Sequence, residues 1–266
     1  MWKDRLIERG VRVEYWLGNR EHRLDDRLRE FLERIKFIPG IRGNKKEEAY
    51  VFHRYFSELH RCHNIEECSE VHQDIITNVV DSGKVSKETH SAIDYMLNEL
   101  WDNAAVHGYE CYQAEKYPKP VYMCAVEQGD NYEICIGDRG QGIFNSLRKN
   151  NPDFKSAGKN DCVLAAIKNG ISGHPVYSPG FGLYSASEFI RKGNGSLYIW
   201  SSNCYLIVTA KTNRIYRSAF NEGTIVSFVV GKDANIPFST MMSEQTRTDY
   251  NAEEYFDMMI GGNCDG

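Results

Sequence analysis

Three features of the sequence predict an α+β domain in which a mixed, mostly antiparallel sheet is covered by helices on one face. Residues 121–127 and 131–136 alternate or run continuously apolar around Gln128-Gly129-Asp130, the pattern of a hairpin. Residues 196–201, 205–211, 215–220 and 224–230 read as four successive strands. Between and before these runs, apolar residues recur at three- and four-residue spacing, which marks amphipathic helices.

The elements follow in chain order. Residues 1–64 read as a small appendage: an alternating strand over 11–17, a helix carrying Leu24, Leu28, Leu32 and Ile35, a break at Pro39 to Gly43, and a second helix over 47–62. A helix over 66–80 then opens a larger domain spanning 65–232. After Asp81-Ser82-Gly83, a long helix places Ile93, Leu97, Leu100 and Ala104 on one face, with Ser86 and Glu88 as its starters. A short amphipathic helix is expected over 161–168. Another begins near Leu183, with Leu183, Ala186, Phe189 and Ile190 as its apolar face and Lys192-Gly193 as its basic, glycine-capped end. Residues 233–266 read as a polar, acidic and loose tail, in which 255–260 could dock as a short helix.

Composition narrows the classes. A chain of 266 residues with 41% apolar and 12% aromatic content can bury a substantial core. Its net charge of −5 argues against a general nucleic-acid or membrane surface. The eight cysteines form neither a Cys-x-x-Cys pair nor the short spacing of a secreted framework, so reduced thiols and a cytoplasmic setting are expected. No run is long and apolar enough for a spanning helix or a signal peptide.

Four short pieces carry the chemistry. In Glu99-Leu-Trp-Asp-Asn103 the carboxylate and the amide lie four apart on one helix face. A carboxylate can take a proton from an attacking hydroxyl, and an amide oxygen can ligate Mg2+ that keeps most of its water and phosphate ligands. Asp138-Arg-Gly140-Gln-Gly142 follows a strand end, where an acceptor-only carboxylate suits an exocyclic amine and glycines let a ring approach the main chain. Gly180-Phe-Gly182-Leu183 fronts a helix amino terminus, a natural anion seat. Gly223-Thr224 opens a strand whose first hydroxyl could bond Asp138 or a bridging water. Each piece alone is as readily a solvated pair, a turn or a tight helix start.

Rival motifs fail. Gly158-Lys159-Asn160 lacks the earlier glycine and the Ser or Thr of a phosphate loop, and Gly140-Gln-Gly142 lacks the third glycine of a dinucleotide fingerprint. His72 lies too close to Asn103 for the separate phosphoacceptor hairpin of a sensor kinase, and reads as a helix-surface residue. Lys168 and His174 read as solvated, and His107 as packed or capping.

Taken together and in this order, the four pieces resemble the GHKL ATPases, the Bergerat-fold group of gyrase-type topoisomerases, heat-shock chaperones, sensor histidine kinases and mismatch-repair ATPases. Asn98-Glu-Leu-Trp-Asp-Asn103-Ala-Ala-Val-His107-Gly-Tyr109 is most similar to the small bacterial anti-sigma-factor serine kinases. The resemblance covers about residues 65 to 232. It implies a Bergerat-type two-layer α/β sandwich that binds ATP and Mg2+. Glu99 would be the general base and Asn103 the metal ligand. Asp138 would read adenine, with Thr224 as its partner. Gly140 and Gly142 would cradle the nucleotide, while Gly180 and Gly182, with Leu183, would form the phosphate end of a lid. Residues 144–179 make a lid longer than the small kinases have. The implied function is an ATP-dependent regulatory kinase or ATPase switch acting on a protein partner, with a homodimer as an option; the alternative is a non-catalytic ATP-sensing module that presents a docking surface.

Overall fold

The structure, a computed structural model, describes residues 56–80, 85–109, 119–173 and 180–249. Its frame is a five-stranded sheet. In chain order the strands are β1 (Phe56–Cys62), β2 (Val121–Gln128), β3 (Asn131–Gly137), β4 (Ser196–Thr209) and β5 (Asn213–Gly231). They lie side by side as β1-β2-β3-β5-β4. The helices are α1 (Ile65–Ile75, prolonged by a π turn over Ile76–Val80), α2 (Lys87–Tyr109), α3 (Gly142–Asn150), α4 (Lys159–Ala165), α5 (Gly182–Lys192) and α6 (Phe238–Asp249). The α+β class is therefore as the sequence predicts.

The register shows why one face is buried. Successive side chains of a strand point to opposite faces, so Ala125, Ile134, Phe228 and Leu197 form one row across four strands, and Met123, Ile136, Val226 and Ile199 the next. All eight belong to the core, together with Ile93, Met96, Leu97 and Leu100 of α2 and Ala186, Phe189 and Ile190 of α5. The positions expected to form the apolar stripes of these two helices are thus the ones that meet the sheet.

Local chemistry sets the helix ends. Asn64 accepts from the Glu67 N–H at 2.8 Å while Glu67 accepts from the His63 N–H at 2.7 Å, a reciprocal cap that starts α1. Ser86 accepts from the Thr89 N–H at 3.1 Å and so begins α2, as its sequence position predicts.

Four expectations are corrected. The sheet is antiparallel at every described pairing rather than mixed. The helical crossover from β3 to β4 does give two strands of one direction, but β5 lies between them. The four strands expected over 196–230 are two long ones. Their polar midpoints face each other, Ser201 against Thr224 and Ser202 against Asn221, so the ladder shifts register there instead of breaking. The last residues of the helix expected over 47–62 form β1, because pairing with the edge of β2 overrides a helical pattern; the sheet therefore begins before residue 65. The tail after 232 is not loose throughout. Ile236 is fully buried, Thr89 donates to the Ala234 carbonyl at 2.6 Å, and Glu88 accepts both the N–H and the hydroxyl of Ser239 at 2.7 Å. The strand over 11–17, the helix over 24–35 and the segment 255–260 lie outside the described residues.

Candidate functional site

A cleft opens where the end of β3 lies beside the interior of β5, and the amino-terminal turns of α3 and α5 meet the middle of α2. Its lining includes Asn103 and Leu100 of α2, Asp138 after β3, Gly142, Ser146 and Leu147 of α3, Gly180, Gly182 and Leu183, and Thr224 of β5. Asn103 and Asp138, separated in the chain by the β2–β3 hairpin, thus face one space.

Asp138 is 4% exposed and held by the main chain. Its carboxylate accepts from the Gly140 N–H at 2.7 Å and from the Thr224 N–H, and its own N–H donates to the Thr224 carbonyl at 2.9 Å. Burial outweighs those donors and pushes the carboxyl up to about 7. Gly140 therefore positions Asp138 and does not itself line the cleft. The Thr224 hydroxyl lies 3.2 Å from that of Ser201, so the Asp138–Thr224 contact runs through backbone atoms.

Gly142 has φ +73° and starts α3 in a conformation that favours glycine. A Cβ there would lie 3.0 Å from Ser201 Oγ and 3.1 Å from the Gly223 carbonyl oxygen. Ser201 itself is fully buried, accepts from the Ile143 N–H at 3.1 Å and donates to the Gly223 carbonyl at 3.1 Å. It ties the start of α3 to β5 just before Thr224. The sequence held a signal for it: Leu197, Ile199 and Ser201 share one strand face, so a hydroxyl continues an apolar row.

At the other end of the cleft, Asn103 meets the first turn of α5; Glu99 packs against the same turn but does not itself line the cleft. A Cβ on Gly182 would fall 2.5 Å from Asn103 Nδ2 and 2.8 Å from Glu99 Oε2, so glycine is what lets the helix start approach them. Gly180, at φ +84°, presses on the Ile171 main chain, where a Cβ would be 2.6 Å from its carbonyl carbon. Burial raises the Glu99 carboxyl above its ordinary range, the Asp102 charge adds to this, and a hydrogen bond from Tyr95 works the other way.

Two buried polar atoms in this cleft have no hydrogen-bond partner: Asn103 Nδ2 and Ser146 Oγ. Folded chains rarely leave such atoms unpaired, since each costs about 1–3 kcal/mol. A polar group entering the cleft would complete both. Ser146 was not anticipated, because nothing in the sequence pattern marked α3 as a helix. The helix expected over 161–168 is α4, which packs on β4. There Lys159 donates to Asn203 Oδ1 at 3.0 Å, and Cys204 donates to Asn160 Oδ1 at 3.0 Å. Lys168 is exposed. The His107 side chain and all of His174 lie outside the described residues.

His72 is bound on both ring nitrogens, to the Trp101 indole N–H at 3.1 Å and to Asp94 at 2.6 Å, and joins α1 to α2. No helix among the described residues is long and apolar enough to cross a membrane. Compared with known proteins, the chain matches no protein-family model and no curated sequence.

Proposed function

We propose that the cleft binds Mg-ATP and that the protein is an ATP-dependent regulatory kinase or ATPase switch of the GHKL kind, acting on a protein partner. The observation that carries this reading is the convergence of Asn103 and Asp138 on one cleft whose walls are closed in by Gly142, Gly180 and Gly182. Asp138 suits an exocyclic amine at one end, and the amino terminus of α5 suits phosphate at the other. The amide oxygen of Asn103 is the atom that would ligate the Mg2+ ion. No group of three or more His, Cys, Asp or Glu among the described residues could hold a metal. An Mg2+ here would rest on Asn103, the phosphates and water, the usual arrangement for that ion. Glu99, one helical turn from Asn103 and with its carboxyl raised by burial, would be the group that accepts the proton of a hydroxyl or water nucleophile.

Calorimetric titration with Mg-ATP, paired with turnover measurements, tests the reading. Parent chain and Glu99→Gln should bind alike, while Glu99→Gln loses turnover by about two orders of magnitude or more. Asn103→Ala should lose both. Heat with Mg-ATP but no turnover in the parent, with or without protein substrates, would favour the non-catalytic module. No heat at all would end the nucleotide reading.

A further inference from the structure

The outer face of the sheet carries a pair of thiols that the nucleotide reading does not use. Met123 and Ala125 of β2 point into the core, so Cys124 between them points the other way. Cys124 stands directly opposite Cys135 of β3, and the same row continues through Ser227 of β5 and Tyr198 of β4. Directly opposed residues of an antiparallel pair hold their Cα atoms about 4.5–5.5 Å apart. That separation falls within the roughly 4.4–6.8 Å across which a disulfide closes without backbone movement.

Both thiols are free and partly exposed, whereas Cys62, Cys68, Cys162 and Cys204 are free but buried. Among the described cysteines, then, this pair alone is both within reach of solvent and fixed in register. Their acidities also diverge. The Cys135 thiol, acting on Cys124, favours the Cys124 thiolate and lowers its pKa, while Cys135 is pushed well above the ordinary thiol range. Glu133, two residues before Cys135 on the same face, opposes thiolate formation at both.

We propose that Cys124 and Cys135 are an oxidisable cross-strand dithiol, a modification site that hydrogen peroxide converts to an intramolecular disulfide. The Cys124 thiolate attacks one peroxide oxygen, the O–O bond breaks, and the departing hydroxide takes up a proton as water. The Cys124 sulfenic acid so formed is attacked by the Cys135 sulfur. The S–S bond closes, the S–O bond breaks, and hydroxide leaves with the Cys135 proton as a second water. Two thiols lose two electrons and two protons, and one peroxide is reduced to two waters. Disulfides in a reducing compartment are usually transient and sensing, and a pair on a rigid ladder can open and reclose without refolding.

The test is mass spectrometry on the full-length chain, treated with hydrogen peroxide, alkylated and digested. The expected product joins the Cys124 and Cys135 peptides, lighter by two hydrogen atoms than the separate thiols. Alkylation of both residues falls about tenfold and returns with dithiothreitol. Cys124→Ser and Cys135→Ser should each abolish the link while keeping the parent circular dichroism spectrum. The proposal is overturned if both thiols remain alkylatable, if either proceeds to sulfinic acid unlinked, or if Cys124 pairs with any cysteine other than Cys135. Since the readout is a mass, it stands or falls apart from nucleotide binding.

Discussion

Burial leaves the Asp138 carboxyl divided between acid and carboxylate near neutral pH, since it titrates at about 7 against an ordinary 3.8. Between those two values the folded chain holds a proton that the unfolded chain has released. The stabilising part of this linkage is fully present below the ordinary carboxylate range and is lost as pH rises through about 7. Urea midpoints should therefore fall between pH 5.5 and pH 8, and Asp138→Asn should flatten that slope. An adenine amine needs an acceptor and favours the carboxylate, so Mg-ATP binding should release protons near pH 7. Titration in two buffers of different ionisation heat measures the release; identical heats would count against Asp138 as the reader of the base.

Ser146 gives a second prediction at this scale, in which stability and function move oppositely. Its buried hydroxyl lacks a partner, and its Oγ is packed so closely that a Cβ on Gly173 would overlap it. Ser146→Ala should leave the unfolding free energy in urea unchanged or raise it by up to about 1 kcal/mol, because an unsatisfied group is removed. The same change should weaken Mg-ATP several-fold, read by calorimetry. Weakened binding together with a lowered midpoint would instead assign Ser146 a packing role.

At the level of elements, the long helix α2 is the part to which the others are fastened. Its amino-terminal half meets α5 and α6 through Tyr95, Phe189 and Phe238, whose ring centroids lie 5.5–5.8 Å apart. Its middle meets α1 through the Trp101–His72–Asp94 chain. His72→Ala breaks both hydrogen bonds and strands the buried Trp101 indole N–H, so it should cost about 1–2 kcal/mol in urea unfolding. A surface histidine without that link would cost less than about 0.5 kcal/mol.

Helices and hairpin were legible wherever an apolar period ran uninterrupted, as at Ile93, Leu97 and Leu100 or along 121–136. The failures are tertiary. Nothing local in residues 56–62 announces an edge strand, because their partner lies about sixty residues on. The polar stretch around Ser201 to Asn203 looks like a loop until Asn221 to Thr224 is set against it. For the cleft, residue types and order sufficed to nominate Asn103, Asp138, Gly142, Gly180 and Gly182 among its lining residues, but they also nominated Gly140 and Glu99, which do not line it. Ser146 could not be nominated so, and Ser201 was marked only as a hydroxyl continuing an apolar row, since their roles come from which neighbours surround a hydroxyl.

Across the whole molecule, the described chain closes on itself through its last helix. Glu88, in the first turn of α2, holds the start of α6, while Ile236 fills the space beside Gly193, 2.8 Å from where a Cβ would stand. Ile236→Ala should destabilise the fold by about 2–4 kcal/mol. A loose tail would show no change in the unfolding midpoint, so this substitution separates the two descriptions.

The end of the β3–β5 ladder forms one wall of the cleft: the paired Ile136 and Val226 line it, and beyond the Gly137–Ile225 rung the Asp138 N–H closes on the Thr224 carbonyl, two further lining residues. Fraying of the sheet from this end would therefore move a wall of the cleft. A single amide proton, that of Asp138, then reports how fully the proposed nucleotide occupies the cleft. Its solvent-exchange rate should slow in proportion to occupancy, while amides at the hairpin end of β3 keep their pace.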